Sequence, residues 1–165
     1  SISSYNKCLR EVDSRYVNLK FIDNKKFIFF SNYNSPKSIA FESHNQVTSL
    51  FYWSSTNVQI RIKAKIKKSD ESFSDLHFSK RGDNKNALAI SSQQSEYINS
   101  YEKIKDNYNN TLNDKNLLAS RPSYWGGYTF IPYYFEFWEG HESRLNKREV
   151  FEKKNDNWNH FILQP

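Results

Sequence analysis

A chain of 165 residues has the length of one ordinary domain. Aromatics make up 17% and Met is absent, so the core must be built from Phe, Tyr and Trp, and disorder is excluded. No run approaches ~20 apolar residues, which excludes a membrane-spanning helix and any membrane partner that needs one. The single Cys8 excludes an internal disulfide framework and a Cys-based zinc site, and it makes a reducing, cytoplasmic compartment the simpler expectation. The net charge of +6 favours anionic partners such as nucleic acid, a phosphate ester or a nucleotide cofactor, unless it only reflects the abundance of Lys throughout. The chain opens at Ser1 without an apolar leader, so no secretory signal is visible and a shortened N-terminus is expected.

Residues 15–22 and 26–31 are β-branched and aromatic runs around Asp23-Asn24-Lys25, and they predict a hairpin. Ser35-Pro36 predicts a helix start, with Pro at the first helical position, running to about His44. An apolar run over 46–53 ends in Phe51-Tyr52-Trp53. Val58, Ile60, Ile62, Ala64 and Ile66 then alternate with Gln59, Arg61, Lys63, Lys65 and Lys67, the pattern of a half-buried strand with a basic outer face. Helices are predicted over 69–80, capped by Ser69, over 83–91, and over the polar stretch 94–112. Strands return at 127–134, 135–139, 148–153 and 157–163, with glycines at 126, 127 and 140 as punctuation. No repeat or linker divides the chain. Strands at both ends with helices between them predict a single, mainly β domain, a sheet or barrel with helical insertions.

Several familiar chemistries are absent. No G-x-G-x-x-G or Walker-type loop offers a phosphate cradle, and no G-x-S-x-G elbow presents a nucleophile. His44, His77, His141 and His160 lack metal-ligand spacing, so no metal is expected. Cations at predicted strand ends and helix starts remain: Arg15, Lys20, Lys37 and Arg61, with Gln59 beside Arg61 on one face. Arg as a bidentate fork and Lys as a point charge suit a phosphorylated ligand, although a solvated basic face has the same composition. A nucleic-acid platform would need aromatics beside Arg61, Lys63 and Lys65, and that strand supplies none, so no nucleic-acid partner is expected.

The C-terminal block weighs most. Trp125-Gly126-Gly127-Tyr128, then Glu136-Phe137-Trp138-Glu139-Gly140, then Arg144-Leu145-Asn146-Lys147-Arg148 closely resemble the pyridoxamine 5′-phosphate oxidase pattern W-G-G-[Y/F], E-F-W-x-G and R-L-H-x-R. Upstream, Arg15 to Lys20 is similar to R-x-V-x-L-K, Phe29-Phe30-Ser31-Asn32 to F-Y-T-N, Gln59-Ile60-Arg61-Ile62 to Q-V-R-V, and Gln94-Ser95 to Q-S. The resemblance thus covers nearly the whole chain. It implies an FMN-binding split β-barrel, with FMN at the interface of a homodimer. By the same resemblance Arg15, Lys20, Phe30, Ser31, Lys37, Gln59, Gln94, Ser95, Trp138 and Arg148 contact FMN. Lys20, His77, Arg81, Lys85, Arg144 and Asn146 hold a small phosphorylated substrate, with Arg144 the catalytic residue nearest the reacting carbon. The implied reaction is oxidation of pyridoxamine or pyridoxine 5′-phosphate to pyridoxal 5′-phosphate by dioxygen. Alternatives within the resemblance are a related flavin oxidase with another substrate, as in phenazine biosynthesis, and a flavin binder without catalysis. Buried Trp is usually core, and this is the expectation for Trp125; Gly126-Gly127 is expected to be a tight backbone passage.

Four positions depart from the family pattern. Pro36 stands where an Arg usually accompanies the phosphate-binding Lys; one lost charge-assisted bond of ~1.5–3 kcal/mol corresponds to about 10- to 150-fold in affinity. His77 stands for a substrate-phosphate Tyr, Lys85 for a Ser, and Asn146 for the His of R-L-H. The anion site is therefore more positive, and a titratable ring near the substrate is gone. The expected consequence is altered specificity or reduced turnover.

Overall fold

The alternation of residues 58–67 does form a strand, and in the computed structural model, which describes residues 1–165, it lies at the middle of one nine-stranded antiparallel sheet. In chain order the elements are β1 (Ile2–Asn6), β2 (Glu11–Arg15), β3 (Phe21–Asp23), β4 (Lys26–Asn32), α1 (Pro36–Ser43), β5 (Gln46–Trp53), β6 (Val58–Lys68), α2 (Glu71–Ser79), α3 (Asp83–Ser91), α4 (Tyr101–Asn113), α5 (Lys115–Leu118), β7 (Trp125–Glu139), β8 (Lys147–Lys154) and β9 (Asn157–Ile162). The main path runs β2-β1-β5-β6-β7-β4-β3, with β8 on β7 and β9 on β8.

The sheet forks at β7. One of its edges pairs with β6 along nearly the whole length, while the other pairs with β4 over residues 125–130 and with β8 over 134–139. The predicted strands 127–134 and 135–139 are therefore one strand. Its register against β6 shifts at Lys63/Ala64, opposite Pro132 and Tyr134, where a proline that cannot donate to the ladder is tolerated. The extra residue flips the parity. Tyr128 and Phe130 before it and Phe135 after it thus all pack on the same core, with Ile2, Phe29, Phe41, Val47, Ile62, Ala64 and Ile66. Burial of this apolar and aromatic surface is the main favourable term in the fold.

Other boundaries differ from the expectations. The predicted strand 15–22 does not form as one piece. Arg15 ends β2 and Phe21 begins β3, and these strands occupy opposite ends of the sheet path, so residues 16–20 must cross between its two edges. The β3–β4 hairpin is present, and both Asn24 and Lys25 take positive φ in its turn. Ser69 does not cap α2; its Oγ pairs with Thr129 Oγ1, and Asp70 occupies the cap position. The helix predicted over 94–112 starts only at Tyr101, where Ser100 Oγ accepts from Lys103 N. β1, β2 and α5 have no counterpart in the sequence-based reading. Gly126 is required by space rather than by φ, since a Cβ there would lie 2.2 Å from Tyr33 Oη. No helix is long and apolar enough to cross a membrane.

Candidate ligand site

Three clusters contain the residues singled out from the sequence. The first is built at the turn from β4 into α1, the helix that packs against β1. Lys37, in the first turn of α1, is 8% exposed, and its Nζ donates to Ser35 Oγ (3.0 Å) and Gln94 Oε1 (3.1 Å). Ser31 Oγ, at the end of β4, donates to the same Gln94 oxygen at 3.1 Å. Ser35 precedes the helix as expected of a cap, but its hydroxyl donates to Asn32 O and its side chain caps nothing. Burial first, and then the nearby Arg15 charge, push the Lys37 ammonium down to about 8, with Asp13 opposing them. Arg15 itself is tied to Asp13 and donates to Ser4 Oγ at 2.8 Å. Ser95 lies beside Gln94 on the exposed loop before α4, with a φ of 74°.

The second cluster lies beside the first and is walled by aromatics. His77 of α2 stacks on Phe30 at 3.9 Å, and Phe30 stacks in turn on Trp125 at 5.2 Å. Arg81 lies over the Trp125 ring at 4.3 Å and donates to Lys85 O, while its Nη1 is buried without a partner. Burial and then the charges of Arg81, Lys20 and Lys85 lower the affinity of His77 for a proton, so all three cations act on its ring. None of Lys20, Lys37, Arg81 and Lys85 forms an ion pair within the chain. A cleft of about 210 Å³, lined by Phe30, Ser31, Arg81, Lys85, Gln94 and Trp125 among others, joins the two clusters. Trp125 is buried, as expected, and forms its floor.

The third cluster is at the far end of β7. Gln59, Trp138 and Arg148 are directly paired across β6, β7 and β8, so they stand side by side on one face. The next row on that face is Arg61, Glu136 and Val150. Glu136, which carries the motif E-F-W-x-G but was given no role from the sequence, is 3% exposed and pairs with both Arg61 and Arg148. The basic face of β6 is thus partly neutralised, and Lys63 lies 4.5 Å over the Tyr134 ring. Arg144 and Asn146 sit in the adjoining β7–β8 loop. Arg144 is exposed with φ 61°, its N–H bonded to His141 O, and Asn146 Oδ1 accepts from His141 N at 3.0 Å.

The first two clusters adjoin Trp125 and the third adjoins Trp138, thirteen residues further along β7. At ~3.3 Å per residue, on the order of 40 Å of strand lies between the two tryptophans. The Trp125 end holds Lys20, Lys37, Arg81 and Lys85 without an acidic partner, and the Trp138 end holds the row of Gln59, Trp138 and Arg148.

Comparison with known proteins identifies the fold and the family. Residues 125–165 match the family model described as the pyridoxine 5′-phosphate oxidase C-terminal dimerisation region. The pyridoxine/pyridoxamine 5′-phosphate oxidase of Legionella pneumophila (strain Lens) is 34% identical over 154 residues, which cover 93% of this chain and 72% of that protein. The crystal structure of PhzG from Burkholderia lata 383, in complex with tetrahydrophenazine-1-carboxylic acid, superposes with a TM-score of 0.88 at 25% identity, covering 99% of this chain and 80% of that one. A pyridoxamine 5′-phosphate oxidase-related, FMN-binding protein from Nostoc punctiforme shares the fold, with a TM-score of 0.81 at 11% identity over 99% of this chain and 86% of that one. The forked sheet is therefore the split barrel that the resemblance implied, and the chain belongs to the pyridoxine/pyridoxamine 5′-phosphate oxidase family.

Proposed function

We propose that this chain is an FMN-dependent oxidase of pyridoxamine or pyridoxine 5′-phosphate that works as a homodimer, each site built from two copies. The observation that carries this reading is the division of the site between the two ends of β7, which a second copy resolves by placing the row of Gln59, Trp138 and Arg148 against the other copy's cation clusters. The description of residues 125–165 as a dimerisation region supports it, because that segment spans β7 to β9 and carries the row.

The residues suit a flavin phosphate and a substrate phosphate. The Lys37 ammonium is buried against neutral oxygens, and Arg81 Nη1 is buried without an acceptor, so each lacks an anion. In this reading Arg15, Lys37, Ser31, Gln94 and Ser95 hold the FMN phosphate end, with Lys20 and Phe30 bordering it. Gln59 bonds the ring edge, while Trp138 and Arg148 cover it. Lys20, His77, Arg81 and Lys85 clamp the substrate phosphate, and Arg144 and Asn146 of the second copy orient the substrate carbon. Bound there, FMN would supply a two-electron acceptor for the hydride of that carbon, with dioxygen as the final oxidant. The chain's own work is to neutralise two phosphates, hold two rings face to face and keep water from between them.

A second reading keeps the flavin and changes the substrate. It draws on the PhzG likeness and on the three substitutions in the substrate half, His77, Lys85 and Asn146. One experiment separates the two: an absorption spectrum of the purified protein, then anaerobic reduction with pyridoxamine and pyridoxine 5′-phosphates and a peroxide assay in air. Bleaching of a flavin band by either vitamer supports the first reading. A yellow protein that neither vitamer reduces favours the second, and a colourless protein with no affinity for added FMN refutes both.

A further inference from the structure

We infer that Glu136 is a positioning residue: its buried carboxylate fixes the guanidinium groups of Arg148 and Arg61 on the face where Gln59 and Trp138 stand, and through Arg148 it sets the affinity for FMN. The inference rests on the flavin reading above. Glu136 Oε1 accepts from Arg148 Nε at 2.9 Å and lies 2.8 Å from Arg148 Nη2. Its Oε2 accepts from Tyr134 Oη at 2.9 Å and from Arg61 Nη2. Four contacts meet the acceptor capacity of a carboxylate, so this group has nothing left for a ligand.

The consequence falls on Arg148. Two of its nitrogens are held by Glu136, and the third, Nη1, donates to Gln164 O at 3.0 Å. The plane of the fork is thus set from both sides, while its remaining N–H groups are free to meet a ligand. The chain passing over it is held too, since Leu163 N donates to Arg148 O. Trp138 stands directly opposite Arg148 in the register, so a guanidinium that swung by one rotamer would leave the ring wall.

Stability alone is a weak reason for such a triad, because buried ion pairs often add little over apolar residues of the same volume. The triad lies on the polar face of β6–β8 rather than in the Phe29–Phe130 core, and its carboxylate is drawn below the usual range by its three partners against the opposing effect of burial. One anion between two cations leaves the face net positive and pre-organised, which lowers the ordering cost of binding.

The test is a double-mutant cycle on FMN affinity, read by quenching of flavin fluorescence on titration into apoprotein whose folding is checked by circular dichroism. Arg148→Ala and Glu136→Gln are each expected to weaken FMN by about 10- to 100-fold, with the double variant no weaker than about threefold beyond the worse single. Multiplicative losses would mean that Glu136 acts on the fold generally, and unchanged affinity in Glu136→Gln would remove its role; either overturns the inference. If Arg148→Ala alone binds FMN normally, the flavin assignment of Arg148 fails instead. Should Glu136→Gln not fold, Tyr134→Phe removes one bond to Oε2 and is expected to lower affinity about threefold in wild type and not at all beside Arg148→Ala. Equal losses in both backgrounds would refute the positioning role.

Discussion

Lys37→Met is expected to make the protein more stable and its grip on FMN weaker. The lysine is 8% exposed and pushed down to about 8, chiefly by burial and then by Arg15. Its folded pKa lies below the unfolded value, so folding of the charged form is penalised below pH 8. The penalty, on the order of 3 kcal/mol, fades as pH rises from 8 towards about 10.5. The hydrogen bonds to Ser35 and Gln94 offset part of it, leaving the apo variant about 1–2 kcal/mol more stable at pH 7. Binding reverses the sign. At pH 7 about nine in ten Lys37 side chains are protonated, and a phosphate dianion would satisfy them, so loss of that bond at ~1.5–3 kcal/mol weakens FMN about 10- to 150-fold. A bound dianion raises the Lys37 pKa. Wild-type affinity should therefore fall above pH 8, by up to about tenfold per unit, until the bound-state value is passed. Urea melts of the apoprotein and FMN titrations from pH 7 to 9.5 test both signs. A variant that loses stability, or that retains the wild-type pH slope for FMN, would show that Lys37 does not face the phosphate.

Three further outcomes follow from the geometry. Arg144→Ala, in an exposed loop away from the phosphate clusters, should leave the FMN Kd within about twofold and cut turnover by at least about tenfold; equal loss of both would mean that its role is misassigned. Lys85→Ser removes one of three charges acting on His77, so the His77 pKa should rise by NMR titration while KM for a phosphorylated substrate increases about three- to tenfold; an unchanged pKa would disprove the cluster. Gly126→Ala would set a Cβ against the Tyr33 hydroxyl and Ser74, so a cost of about 1–3 kcal/mol is expected in thermal melts, and a neutral result would show that Tyr33 can move aside.

Local signals carried far in this chain where the chemistry was local. The alternation at 58–67 is a strand because period two on a half-buried face leaves no other solution. Asp23-Asn24-Lys25 is a hairpin turn because Asn tolerates positive φ. Pro36 opens α1 because its missing N–H costs nothing there. Three of the failures share one physical cause, pairing with distant segments. Nothing near residues 15–22 signals that Arg15 must close on β1 while Phe21 closes on β4. The bulge that joins 127–134 to 135–139 shows only against β6. Glu136 belongs to the motif E-F-W-x-G and sits between aromatics at 135 and 137, but only its cross-strand neighbours Arg61 and Val150 show that it is buried and what it holds.

The sequence by itself determined the class of fold, the family, the aromatic core and the supply of cations, because these depend on residue types and short spacings. Tertiary structure alone decided how the cations are apportioned: Asp13 holds Arg15, Glu136 holds Arg61 and Arg148 towards the far end of β7, and Lys20, Lys37, Arg81 and Lys85 are left without an acidic partner. Charge compensation depends on distance in space, and in an antiparallel sheet that distance is set by register between strands far apart in the chain, 75 residues for Arg61 and Glu136.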